Sequence, residues 1–424
     1  MKSFKNSLKI LVFCIGLFVS YKLVGLAVID TDSSTRLKFH DYYQQNNIDI
    51  AVIGASRVNR GFDPDEVDRH MEVNSFNFGS SSQTYAGSYY ILRDLLNRQD
   101  VETVILDVEF SGFNREPDQQ KANWIISDYM KGLIKYQYIF NVFDRSDWLI
   151  MLSGICRYKD DISINWCKRN IKAKLCKEYW DYMPTNRVYK NYSTYRDRGM
   201  CEIEKVNKGS DFFVYKKDYG GFDHIGLDEE NADMMGYLYK AIRLCKERDI
   251  KVVLVTFPET DFYLKHAGDY AKFVDRVNRI SVENEIPWYD LNRVKDECFS
   301  DNEFSNLDHL TRDGARHCTS VICDLLLNPH SHEFVDEPLK KDSGIIGVTY
   351  ETEEIDNAVQ ISWNVEAYNT MKYRYRLIEY DDKQVIFDSG ILDTNSIIMS
   401  ELTNDAYIEI FDMTNNYLGK GKLL

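Results

Sequence analysis

Short apolar runs at residues 48–53, 76–78, 101–110, 250–258 and 286–291 alternate with segments of helical spacing, and no hairpin turn joins one run to the next. That alternation leaves few options. Strands linked by helices have to pair in parallel, and a parallel sheet needs cover on both faces, so the spacing predicts a three-layer α/β unit. Ligands in such sheets collect at the carboxyl ends of the strands.

The first run, Ile48-Asp49-Ile50-Ala51-Val52-Ile53, ends in Gly54-Ala55-Ser56. Two small residues let the backbone turn sharply at the strand's carboxyl end and leave Ser56 in the crevice. Ser56 is then either a group that does chemistry or a cap for the helix that follows. A base for it stands some 250 residues later, in Asn306-Leu307-Asp308-His309-Leu310-Thr311-Arg312-Asp313-Gly314-Ala315.

A strand-end G-x-S near the start and an H-L-T-x-x-G-A block near the end resemble the SGNH (GDSL-like) hydrolase superfamily over about residues 46–328. The likeness is nearest to its membrane-anchored, cell-surface branch, which includes the alginate O-acetylation proteins and the D-alanylation protein of lipoteichoic acid synthesis. It implies a flavodoxin-like sheet, with Ser56 as nucleophile and His309 as general base.

Two middle blocks of that pattern supply the oxyanion hole, together with the backbone N–H of Ser56 itself. In Phe76-Asn77-Phe78-Gly79-Ser80-Ser81-Ser82-Gln83-Thr84, matching Gln83-Thr84 puts Ser82 at the backbone-donor position, and matching the first glycine selects Gly79. Ser82 is preferred, because a backbone donor needs no particular side chain unless φ is positive. In Ser111-Gly112-Phe113-Asn114 the side-chain amide of Asn114 is the match, although the aspartate that usually follows is replaced by Arg115. Asp107 and Glu109, alternating near the end of the third run, are supporting polar groups or the exposed side of that strand.

The third triad member departs from the family. Where an aspartate is expected three residues before the histidine, Asn306 stands, and Asp308 adjoins the ring instead. Asn306 is the first choice as orienting partner, Asp308 the second, and another acid such as Asp301 the third. A carboxylate both orients an imidazole and stabilises its charged form, whereas an asparagine only orients it.

Outside this region the chain changes character twice. Lys2, Lys5 and Lys9 precede a stretch from 10 to 29 that is apolar apart from Ser20 and Lys22, and its 20 residues match a bilayer-crossing helix. Lys22 can snorkel outward, and the basic flank places the N-terminus in the cytoplasm. A cleaved signal peptide and a buried core helix are the alternatives. Beyond Pro329, alternating runs separated by turn residues predict a small antiparallel sandwich of immunoglobulin or fibronectin type. The expected organisation is therefore an anchor at 1–30, a hydrolase-like unit at 31–330 and a sandwich at 331–424. Residues 116–226 form an aromatic-rich helical insertion in the middle unit, and its Trp124, Trp148, Trp166 and Trp180 are candidates for stacking on sugar rings.

A formal net charge of −15 argues against general nucleic-acid binding, which needs excess Lys and Arg. No C-x-x-C or histidine cluster suggests zinc, and no cofactor or metal is expected. Eight cysteines outside the first thirty residues permit disulfides in an exported chain, but buried free thiols are the preferred reading for those on predicted helices. The resemblance implies a membrane-anchored, extracytoplasmic serine esterase or O-acyltransferase. Its substrate would be a cell-surface glycan or acylated polymer, and a membrane-bound O-acyltransferase is a possible partner. The competing class is a non-catalytic surface binding or assembly protein on the same scaffold.

Overall fold

The computed structural model describes residues 2–29, 34–116, 126–185, 195–202, 210–217, 230–295, 299–338, 345–355, 358–367, 372–379, 385–389, 395–399 and 406–423, with side chains from residue 6 onward. Trp124, Cys298 and the insertion's expected end at 226 fall outside these residues.

Five parallel strands, β1 (Ile50–Ile53), β2 (Ser75–Asn77), β3 (Thr103–Asp107), β5 (Lys251–Thr256) and β6 (Trp288–Asp290), form one sheet in the order β2-β1-β3-β5-β6. This is the flavodoxin-like order. Its topological switch point lies beside β1, where crossovers leave in opposite directions and a crevice opens at the carboxyl edge. All four β1 residues are buried, as a strand covered on both faces requires.

The helices follow from their caps. Asp63 caps Pro64–Met71, Thr84 caps Tyr85–Leu96, Asn231 caps Ala232–Lys246 and Thr311 caps Arg312–Leu327, each accepting from a backbone N–H of the first turn. The segment 261–284 reads as one helix in the sequence but is two, Asp261–Ala267 and Tyr270–Asn284. Gly268 between them takes a φ of +115°, which ends the first, and Asp269 caps the second. Residues 34–42, largely polar in sequence, form the helix Ser34–Tyr42 with Leu37, Phe39 and Tyr42 buried.

At the carboxyl end of the chain two four-stranded sheets face each other. One has the order β10-β9-β12-β13, from Val385–Asp388, Tyr373–Glu379, Ala406–Asp412 and Tyr417–Lys422. The other is β11-β8-β7-β4, from Ser396–Met399, Ala358–Ala367, Ile345–Ile355 and Val214–Lys216. The last of these comes from the insertion and pairs in parallel with β7. Phe212 enters the sandwich core while Phe213 enters the core of the α/β unit, so adjacent residues tie the two together.

The helix Lys2–Val28 contains a stretch, Asn6–Val28, long and apolar enough to cross a membrane, and its apolar side chains are largely exposed. The eight described cysteines are all free thiols.

Candidate active site

The turn after β1 is built around close approach. A Cβ on Gly54 would overlap the side chain of Asp107 on β3, and that carboxylate accepts from the backbone N–H of Ala55 at 3.3 Å. The short helix Ser56–Gly61 begins directly afterwards. Its N-cap is Ala55, without a side-chain cap bond, and Ser56 is the first helical residue. The Ser56 hydroxyl therefore caps nothing, which removes the structural explanation for a serine at this place.

The histidine block is a tight loop. Ser305 donates to the carbonyl of His309 from both its N–H, at 2.8 Å, and its hydroxyl, at 3.0 Å. This curls 306–308 beneath the ring, and both preferred partners reach Nδ1: Asn306 Oδ1 at 3.0 Å and Asp308 Oδ1 at 2.8 Å. Asn306 shares a hydrogen bond with Nδ1, while Asp308 is the closer of the two and brings the charge. Two oxygens at Nδ1 require the proton there, which leaves the lone pair on Nε2. Nε2 is buried and has no hydrogen-bond partner among the described residues, so the Ser56 hydroxyl is not bonded to it. Burial opposes ionisation of Asp308, but the His309 ring and Arg57 outweigh it and hold the carboxyl at about 2. Asp301, the third choice, lies in the one-turn helix Asp301–Glu303, and the oxygens placed at Nδ1 are those of Asn306 and Asp308.

The two motifs meet through Arg57. Its guanidinium, buried to 3%, pairs with Glu109 after β3 and Glu259 after β5, and stands 3.6 Å from Asp308. Burial disfavours the charged guanidinium, but these acids more than compensate, and Arg57 stays ionised. Glu259, fully buried with two further acids nearby, is pushed up by burial. Asp107 is pushed up to about 8, first by burial and then by Glu109. Arg57 and Glu259 were not singled out in the sequence. The available signal was their position: Arg57 directly follows the candidate serine, and Glu259 directly follows the predicted strand 250–258.

Ser82 sits in the turn after β2 with a φ of +50°, so the ground for preferring it, a backbone that suits any side chain, does not hold: this is a left-handed position that favours glycine, and serine occupies it at a cost in strain. Gly79, the alternative, is packed against the Ser56 helix: a Cβ there would overlap the backbone of Asn59. Asn114 closes the one-turn helix Phe110–Phe113, and its side-chain amide makes no hydrogen bond among the described residues. Arg115 explains its own presence. It pairs with Glu109, bonds the Ser111 hydroxyl and reaches the carbonyl of Gln83 at 3.4 Å, clamping the Asn114 turn to the Ser82 turn.

Two neighbours complete the charge layout. Lys38 is buried against Asn59 Oδ1, at 2.7 Å, and the carbonyl of Gly79, and burial lowers its pKa to about 8. Arg60, one turn along from Ser56, has Nε and Nη1 buried without hydrogen-bond partners among the described residues.

No family model matches this chain, and no curated protein does. Among solved structures it is similar to a crystal structure from Bacteroides fragilis whose assignment as an acylhydrolase is itself provisional. That likeness has 10% identity and a TM-score of 0.30, and covers 70% of this chain and 99% of the other. So low a score carries no argument, and the parallel sheet is established by its own strand order.

Proposed function

We propose that this chain is an exported, membrane-anchored acyl-transfer enzyme of SGNH type, an O-acetyltransferase or acetylesterase acting on cell-surface polysaccharide. The observation that carries the reading is His309. Its Nδ1 is held by Asn306 and Asp308, its buried Nε2 has no hydrogen-bond partner among the described residues, and its loop is tied through Arg57 to the turn bearing Ser56. In this mechanism Ser56 Oγ attacks the acyl carbonyl as Nε2 takes its proton, and the N–H groups of Ser56 and Ser82 with the Asn114 amide hold the oxyanion. Collapse releases the alcohol, which leaves with the proton from His309. Water or a glycan hydroxyl then attacks the acyl-serine, passes its proton to Nε2, and Ser56 recovers it. A membrane-bound O-acyltransferase is a fitting supplier of acyl groups to an enzyme held at the bilayer.

The test is hydrolysis of a chromogenic acetyl ester by the full chain in detergent, alongside Ser56→Ala. Equal rates would remove the serine-nucleophile claim.

The non-catalytic reading is favoured by one observation, the missing Ser56–His309 hydrogen bond. Sites of this kind often tighten only around substrate. A fluorophosphonate probe separates the two: a mass adduct on Ser56 supports catalysis, and no adduct on a folded protein supports a binding surface.

A further inference from the structure

The end of the apolar N-terminal helix is docked into the insertion. Lys174 Nζ donates to the carbonyls of Leu26 and Ile29 at 3.1 and 2.6 Å, Trp166 Nε1 to that of Val28 at 2.7 Å, and Asn170 Nδ2 to that of Ala27 at 3.2 Å. The carbonyls a helix terminus leaves open are thus taken up by one helix, Ile164–Lys174, with a cation at the negative end of the dipole. Gly154 leaves room for Ile29, and the hydroxyl of Tyr21 bonds that of Ser153 at 3.0 Å. Tyr21 is seven residues short of Val28, ~10 Å back along the helix axis. The insertion therefore extends alongside the helix, past its end and toward the bilayer.

The elements that do so carry an unusual surface. Leu133, Ile164 and Leu175 are 78%, 75% and 81% exposed, and Leu149, Leu152 and Trp180 are exposed with them. They sit on consecutive short helices of residues 133–180. Phe140 meets Trp148 at 4.7 Å, Trp148–Leu152 packs on Gly154–Arg157, and the last of these packs on the N-terminal helix. A concentration of large exposed apolar side chains marks an interaction surface, whereas single ones do not. The charge is also distinctive: residues 131–183 hold ten Lys and Arg against six Asp and Glu, in a chain whose formal net charge is −15. Arg169 lies over the Trp166 ring at 4.6 Å and Arg145 over Trp148 at 5.8 Å, a pairing of cations and indoles suited to a headgroup layer.

We propose that residues 131–183 form a platform embedded in the outer interface of the anionic bilayer that the N-terminal helix crosses, so that lipid, and not the crossing helix alone, fixes the height and tilt of the Ser56 site. The occupant is the bilayer because the apolar surface is continuous with the helix that enters it and carries the charge that anionic headgroups attract. The inference rests on the membrane-anchor part of the function proposed above.

The test uses the full chain in vesicles of phosphatidylcholine and phosphatidylglycerol whose acyl chains are brominated close to the headgroup. The emission lost on Trp180→Phe reports Trp180, an exposed indole on the platform. That difference emission is expected to be quenched at least twofold by the brominated lipid and little by aqueous iodide. A second variant, Leu133→Glu with Leu175→Glu, changes two open positions that the core does not need, and is expected to halve the lipid quenching. Iodide quenching without lipid quenching, or no effect of the double variant, would overturn the proposal and point to water or a protein partner at this face. Failure of the anchor reading looks different: the chain would then leave the vesicles altogether in an alkaline wash.

Discussion

Arg57 stands 3.6 Å from Asp308, so the residue after the candidate nucleophile and the residue before the candidate base share an ion pair across 250 positions of chain. The same guanidinium holds Glu109 and Glu259, and it is the centre on which three strand ends converge. Removing it leaves buried acids without compensation, which costs about 3–5 kcal/mol. Arg57→Met is therefore expected to lower the melting temperature by about 5–8 degrees. Arg57→Lys, which keeps the charge but not the fork, should lose part of that. Thermal unfolding of both checks this, and a Met variant as stable as the parent would show that the cluster does not organise the edge.

Asn306 and Asp308 divide at His309 the two tasks that one aspartate combines in the resembled pattern. Asn306 shares a hydrogen bond with Nδ1 and fixes the tautomer, while Asp308 supplies the negative charge. Loss of the carboxylate should then cost less than where it also sets the tautomer: kcat for an acetyl ester falls roughly 10–100-fold in Asp308→Asn. Asn306→Asp should keep or raise the rate. Because Asp308 is held at about 2, it stays ionised throughout the working range, and any acid limb of the pH–rate profile that titrates above pH 4 belongs to another group. An Asp308→Asn variant with unchanged kcat would return the whole role to Asn306.

The sheet was legible because its central strands are covered on both faces and carry apolar runs, such as Ile50-Ala51-Val52-Ile53 and Val252-Val253-Leu254-Val255. Ser56 and His309 were legible because each closes a motif. What escaped was set by contacts distant in sequence. Strand β4 is three residues long and pairs with residues some 130 positions later, so no local pattern announces it. The helix Ser34–Tyr42 hides because its buried set includes Arg36 and Lys38, charges whose burial only the folded surroundings explain. The curl that brings Asp308 to its neighbour's ring depends on Ser305 bonding the His309 carbonyl, which spacing alone does not reveal.

Asp107 gives a stability signature in pH. Its folded-state pKa is pushed up to about 8 by burial and by Glu109, against about 3.9 for an unfolded aspartate. Between those values the folded protein keeps a proton that the unfolded chain releases, so the associated stability is fully present below about pH 4 and is lost as pH rises toward 8. Asparagine mimics the protonated form and still accepts from the Ala55 N–H. Asp107→Asn is expected to melt with the parent near pH 4 and several degrees above it at pH 9. Parallel melting curves at all pH values would show that Asp107 ionises normally.

Ser82 and Asn114 are the two oxyanion candidates beyond Ser56 itself, and they call for opposite substitutions. At Ser82 the proposed donor is the backbone N–H, and the side chain is a burden, since an L-residue at a φ of +50° costs about 1–2 kcal/mol. Glycine relieves that cost but loses about 0.5–1 kcal/mol to the greater freedom of the unfolded chain. Ser82→Gly should thus leave stability equal or up to about 1.5 kcal/mol higher, with kcat within twofold because the N–H remains. At Asn114 the donor is the side chain, which makes no other hydrogen bond among the described residues, so Asn114→Ala should leave melting nearly unchanged. Its kcat should fall roughly 10²–10³-fold with KM little altered, as expected for a contact made to the transition state. Steady-state kinetics on an acetyl ester with both variants decides the assignment. A tenfold or greater loss in Ser82→Gly would mean that the hydroxyl, not the backbone, is what the site uses at that turn.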